Sequence, residues 1–338
     1  MENLLEKRKK EFRAVGLAVF VASAGLLLLR IIFNLIGDSI SETLSDVLFS
    51  CLMQIGALLV GTFLTLKLTL KRSAKQTLSY LNFRKPSLVV MLLCIPLGVC
   101  VLVATIGVST VWLAILMSFG YQPSAGTPLP AQFSIWLLLL NIFLTGVLPG
   151  ICEEFTNRGA LITAMRNTFS KRVTVVLCGL AFGLFHQNIT QVFYASLFGM
   201  LMTYLTIESK SVFPAMVIHF MNNTISVYSD FATSYDIFLS GLFSWLSDTL
   251  TSNFILIGFL FVLTVALGVF LYIVIIRLSR KHYRKQTGGI RALDEGFDEG
   301  EPLAPTVLYK PSLGDWAFYI GALVMTVLTT VSTFIWGL

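Results

Sequence analysis

The sequence predicts an all-α polytopic transmembrane helical bundle of about nine spans, and three observations carry that expectation. Of its 338 residues 56% are hydrophobic and only 12% are charged. The mean hydropathy, +0.82, lies far above that of a soluble globular chain. The apolar residues also gather into runs that reach the roughly 17–25 residues a helix needs to cross a bilayer.

The runs follow in order: Ala14 to Ile36, Val47 to Leu70, and Leu88 to Phe119 with Pro96 inside it. After the uncharged Pro/Gly loop Tyr121 to Gln132 comes the long region Phe133 to Met165, then three shorter runs, Val173 to His186, Val192 to Ile207 and Val212 to Tyr228. Phe254 to Ile276 and Trp316 to Trp336 close the series. Positive residues in short loops mark the cytoplasmic side. Lys7 to Arg13, Lys67 to Lys85, Arg166 to Arg172, Lys210 and Arg277 to Lys285 share one side under this parsing, while Asp38, Glu42, Asp46, Asp230, Asp236 and Asp248 share the other. Nine spans satisfy the rule, with the N-terminus inside; eight is the alternative, with the stretch between His186 and Lys210 re-entrant.

The chain therefore divides into N-terminal helices (1–132), a core carrying the polar motifs (133–228), an outer interfacial loop (229–253), a transmembrane helix (254–278), a cytoplasmic polar linker (279–314) and a last transmembrane helix (315–338). The net charge of +6 comes from basic residues flanking apolar runs, which is a membrane signature and not a nucleic-acid one. Cys51, Cys94, Cys100, Cys152 and Cys178 all sit in apolar stretches without metal-ligand spacing and read as packing residues. The basic run Lys7 to Lys10 before the first span lacks a small-residue cleavage site after it, so that span reads as retained.

Inside this apolar chain stands Pro149-Gly150-Ile151-Cys152-Glu153-Glu154-Phe155-Thr156-Asn157-Arg158. An ionised side chain at bilayer depth costs roughly 2.5–3.5 kcal/mol, so three of them here need partners or a wet cavity. On a helix Glu154 and Arg158 are four apart with the acid nearer the N-terminus, the favourable order for an ion pair. Glu153, turned about 100° away, is left free for chemistry. Pro149-Gly150 is expected to break or kink the incoming helix.

Two of the three histidines also lie in apolar runs: His186 closes Phe182-Gly183-Leu184-Phe185-His186, and His219 shares a helix face with Asn223. The third, His282, belongs to a basic flank. Counting 1.5 Å per residue from the nearest basic marker puts Glu153 about 19 Å, His186 about 21 Å and His219 about 14 Å deep, so the three are expected to meet near mid-membrane. A poorly solvated carboxylate can act as a general base toward water. His186 would hold that water, and His219 with Asn223 would donate to a developing oxyanion, a set suited to peptide-bond hydrolysis. Without a His-Glu-x-x-His helix, metal-free catalysis comes first; Zn²⁺ held by Glu153, His186 and His219 is the alternative.

Glu153-Glu154-x-x-x-Arg158, Phe182-x-x-x-His186 and His219-x-x-x-Asn223 resemble, in order, the three motifs of the CPBP family of intramembrane proteases, also called the Abi or CAAX-protease family, which includes the type II CAAX prenyl endopeptidases. The resemblance covers Phe133 to Tyr228. It implies that Glu153 activates water with His186, that His219 and Asn223 form the oxyanion site, and that Glu154 and Arg158 support them. It leaves metal dependence open and does not require a prenylated substrate. Asn157 departs from the family, which often has a large apolar residue before the arginine.

The expected function is an intramembrane endopeptidase of a bacterial plasma membrane, acting on a peptide or protein tail, lipid-modified or not, from a cavity open toward the cytoplasm. The alternative is a non-catalytic bacteriocin-immunity or peptide-binding membrane protein. A proton-coupled transporter comes third, because no repeated halves are recognisable.

Overall fold

The computed structural model describes residues 2–36, 39–123, 129–252, 254–286 and 308–338, and the regular elements among them are all helical. Eleven helices follow in order: α1 (Glu2–Ile36), α2 (Thr43–Leu70), α3 (Ala74–Tyr80), α4 (Leu88–Ser118), α5 (Ile135–Arg166), α6 (Lys171–Phe185), α7 (Ile189–Ser209), α8 (Phe213–Tyr235), α9 (Ser240–Ser252), α10 (Phe254–Gln286) and α11 (Ala317–Ile335). Seven of these, α1, α2, α4, α5, α7, α10 and α11, supply segments long and apolar enough to cross a membrane. The chain is an integral membrane protein.

The nine expected spans and these seven differ at α6 and α8, the two helices that carry the histidines. With 15 residues α6 is about 22 Å long, short of a hydrocarbon core of about 30 Å. α8 has 23 residues but places His219, Asn222, Asn223 and Asp230 along its length. The stretch between His186 and Lys210 is one continuous helix, α7.

Several expected boundaries move. α8 runs on to Tyr235, and the outer segment after it contains α9, held to α8 by the Tyr228 hydroxyl donating to the Phe238 carbonyl (2.7 Å). α9 exposes Leu242 and Trp245, as an interfacial segment does. α10 continues through Gln286, into the stretch expected as a polar linker. The linker's acids Asp294, Glu295, Asp298, Glu299 and Glu301 lie outside the described residues. α5 does not break at Pro149-Gly150. Its hydrogen-bond ladder widens into π-helical turns at Ile142–Val147 and Phe155–Leu161, either side of the proline and the carboxylates. A third π stretch, Leu52–Gly61, lies in α2. Such widened turns are frequent at functional sites.

Two large apolar cores and a small third one (Ala22, Leu58, Cys152) hold the described helices. Of the large two, one joins α1, α2, α5 and α11 through Phe12, Leu66, Ile162 and Tyr319; the other joins α4, α7, α8 and α10 through Leu97, Met202, Ile218 and Ile275. α6 bridges them, with Cys178 in the first and Phe182 in the second. Outward-facing residues are apolar as well: on α10, Ile255, Phe259 and Val262 are largely exposed, as a lipid-facing surface requires.

One end of the bundle is tied by ion pairs. Arg13 of α1 meets Asp315 at 2.5 Å, Arg72 beyond α2 meets Glu11 at 2.5 Å, and Glu208 of α7 accepts both Lys171 of α6 (2.9 Å) and Arg280 of α10 (2.6 Å). The Tyr309 amide donates to the Asn167 carbonyl at this same end (3.1 Å).

α6 and α7 pack closely because Gly183 has no side chain: a Cβ there would stand 2.1 Å from the Ser196 hydroxyl and 2.4 Å from the Val192 carbonyl. The hydroxyl could rotate aside, but the carbonyl is backbone. Gly183→Ala should therefore lower the thermal unfolding midpoint of the detergent-solubilised protein, by the equivalent of about 1–3 kcal/mol. An unchanged midpoint would contradict this packing.

Candidate active site

The two adjacent carboxylates of α5 meet different surroundings. Glu154 is fully buried, and its Oε1 accepts hydrogen bonds from Arg158 Nη1 (2.9 Å) and His219 Nδ1 (2.9 Å). The first is the expected i, i+4 pair; the second reaches across to α8. The Arg158 guanidinium, also buried, lies 4.0 Å from the centre of the Phe182 ring, a cation–π contact. Phe182 also sets its edge against His186 (4.9 Å) and His219 (5.8 Å), so one ring touches the arginine and both imidazoles.

Glu153 is only half-buried and faces a cavity of about 680 Å³. Its Oε1 accepts a hydrogen bond from Gln54 Nε2 of α2 (2.8 Å). Its backbone carbonyl accepts one from Asn157 Nδ2 (3.0 Å). Gln54 is not among the residues that sequence reasoning picks out, although a lone amide in the apolar run Val47 to Leu70 is a readable signal. α2 is held in place for this contact by Thr156, whose hydroxyl donates to the Leu58 carbonyl (2.9 Å) and lies 3.1 Å from that of Thr62. Asn157, the departure from the family pattern, thus turns inward beside Glu153.

His186 follows the last residue of α6, and its Nδ1 lies 2.9 Å from the Phe182 carbonyl. A carbonyl only accepts, so Nδ1 carries the proton, and a neutral ring keeps the Nε2 lone pair as its remaining polar function. The next residue, Gln187, has a left-handed backbone (φ 49°), and its carbonyl accepts Arg30 Nη1 from α1 at 3.3 Å. Arg30, a single charge near the end of an apolar run, is likewise a residue that sequence reasoning misses.

On α8, His219 Nδ1 is committed to Glu154, so its Nε2 accepts when the ring is neutral and donates only when the ring is an imidazolium. Asn223 Nδ2 donates to the Thr145 carbonyl of α5 (2.8 Å), which lies four residues before Pro149 and receives no N–H from it. The Asn223 Oδ1 accepts from Asn222 Nδ2 (3.1 Å), and Asn222 Oδ1 accepts from the Thr105 hydroxyl of α4 (3.2 Å). One amide proton of Asn223 is therefore already engaged.

Glu153, His186, His219 and Asn223 line the same cavity, together with Gln54 and Asn157. Glu154 and Arg158 do not reach it; they stand behind the lining and hold His219. Among the described residues no three His, Cys, Asp or Glu side chains form a group that could hold a metal ion. The alternative Zn²⁺ set of Glu153, His186 and His219 does not stand as such a group, although the Nδ1 bonds to Phe182 and Glu154 leave both Nε2 atoms facing the cavity side.

The cavity extends away from the ion-paired end of the bundle. Its wider lining comes from Arg30, Phe49, Asn188, Ser226 and Asp230, near the opposite ends of their helices. The polar residues of α7 and α8 continue the lining away from the ion pairs.

The family described as Type II CAAX prenyl endopeptidase Rce1-like matches residues 135–225. This stretch holds all three motifs. No curated protein and no solved structure matches the chain.

Proposed function

We propose that the chain is an intramembrane endopeptidase that hydrolyses a peptide bond with a water activated by Glu153, because residues 135–225 match the Rce1-like type II CAAX prenyl endopeptidase family. The observation that carries this reading is the convergence of Glu153, His186, His219 and Asn223 on one polar cavity inside an apolar bundle. Glu153 accepts a proton from the water while His186 Nε2 orients it. The resulting hydroxide adds to the scissile carbonyl. His219, through a proton carried on Nε2, and the second amide proton of Asn223 then donate to the oxyanion. Collapse breaks the C–N bond, and the proton on Glu153 passes to the leaving amine.

In this reading residues 133–228 are the catalytic core, and the helices before and after it support the cavity and contact lipid. The substrate is a peptide or protein tail, the protein resides in a plasma membrane, and the N-terminus is cytoplasmic by the charge rule.

The purified protein in liposomes should cleave members of a quenched fluorogenic peptide library. Cleavage should survive exhaustive chelation, with zinc well below one ion per chain by elemental analysis. Loss of activity on chelation, restored by added zinc, would overturn the metal-free step; absence of cleavage by folded protein across the library would overturn the protease reading.

Gln54 orients the carboxylate without touching substrate, so it acts as a positioning residue. Gln54→Leu should lower kcat roughly 10–100-fold with KM little changed, matching the loss of a charge-assisted hydrogen bond worth about 1.5–3 kcal/mol. Gln54→Asn, shorter but still a donor, should recover part of it. An unchanged kcat in Gln54→Leu would remove Gln54 from the site.

A further inference from the structure

We infer that the site is loaded from the extracytoplasmic face, so that its substrate is a peptide segment presented on the outer surface of the membrane. The inference rests on the protease reading for the word substrate, and on the cavity's place in the bundle together with the distribution of basic residues for the side of entry.

The polarity of the bundle can be followed residue by residue. Apart from Arg30 and Arg158, the Lys and Arg of the helices and their connections lie at one end, from Lys7 to Arg13 on α1, Lys67 to Lys85 around α3, Arg166 to Arg172, Lys210, and Arg277 to Lys285 on α10. Contacts join these groups into one surface: Glu11 with Arg72, Arg84 with Tyr283, Lys171 and Arg280 with Glu208, Arg13 with Asp315. Short basic segments stay on the cytoplasmic side. The acids Asp46, Asp230, Asp236 and Asp248 lie toward the other end.

The cavity belongs to that other end. Arg30 is 17 residues beyond Arg13 on α1, about 25 Å along a helix, and Asn188 is 22 residues from Lys210 along α7, about 33 Å. Both line the cavity, as do Ser226 and Asp230, which are the exposed polar residues of its rim on α8. Catalytic groups at mid-depth thus communicate with the outer end, while the cytoplasmic end is tied by the ion pairs. A peptide arriving from outside meets a polar lining from Asp230 inward to Glu153.

The test is side-specific labelling of single introduced cysteines, with Cys51→Ser as background because Cys51 is the least buried native thiol. Ser226→Cys on the rim should react with a membrane-impermeant maleimide on intact cells. Lys75→Cys, on the exposed surface of α3, should react only after permeabilisation. The opposite pattern, or rim labelling only after permeabilisation, would overturn the inference. A peptide that cannot cross membranes should also be cleaved by intact cells expressing the protein, and maleimide on Ser226→Cys should block this. Correct labelling without cleavage of any peptide would sink the protease reading alone; cleavage by liposomes together with inverted labelling would sink the side of entry alone.

Discussion

Glu153→Gln should lower kcat for peptide cleavage by roughly 10²–10⁴-fold, the range that a positioned general base contributes. The substitution keeps the size of the side chain and leaves an amide oxygen to accept from Gln54 Nε2, so the helix contacts survive. What is lost is the ability to take a proton from water. The thermal unfolding midpoint should consequently stay close to that of the parent protein, and peptide binding measured with the inactive variant should persist. A variant that cleaved at the parent rate would eliminate Glu153 as the base, whatever else lines the cavity.

Glu154→Gln should behave in the opposite way, unfolding the protein more readily as well as silencing it. Glu154 Oε1 receives both Arg158 and His219, and neither the carboxylate nor the guanidinium is exposed. Removing one partner of a buried pair leaves the other charge uncompensated and costs about 3–5 kcal/mol. The orphaned Arg158 would fall back on its contact with the Phe182 ring. The double variant Glu154→Gln with Arg158→Met, which leaves no stranded cation, should regain part of the stability and none of the activity, because His219 still lacks its carboxylate. Thermal unfolding of both variants in detergent decides the matter: a single variant as stable as the parent would mean that the pair is not structural. The contrast between neighbouring glutamates is itself diagnostic, one removing turnover at constant stability and the other removing both.

The difference between those two glutamates is legible in the sequence, because helical spacing alone pairs Glu154 with Arg158 and turns Glu153 elsewhere. Counting residues from the basic markers likewise brings Glu153, His186 and His219 to a common depth, and all three line one cavity. The reach of Glu154 to His219 is not legible there, since spacing within α5 says nothing of which helix packs across from it. Gln54 and Arg30 escape notice because one is the single amide and the other the single charge of its apolar run, without a motif. Pro149 points to a break or a kink; the helix runs on through it, with a π-helical stretch just before the proline. Apolar runs alone make α6 and α8 look like the other spans, whereas α6 is only 15 residues long and α8 carries polar residues along its length. Which residues extend the cavity beyond the four polar heads is hidden as well, because depth along a helix does not reveal where neighbouring helices part.

The proline also determines how α5 and α8 register. A residue with an N–H at position 149 could satisfy the Thr145 carbonyl within its own helix; Pro149 cannot, and the Asn223 amide takes that place from α8. His219, one turn earlier, is fastened to Glu154 further along α5. Two polar bolts at different heights forbid α8 both to slide along α5 and to roll about its own axis. The relative pose of acid and imidazole is thereby indexed by side chains within the bundle, so connecting loops can drift in length and composition while the reactive groups keep their mutual aim.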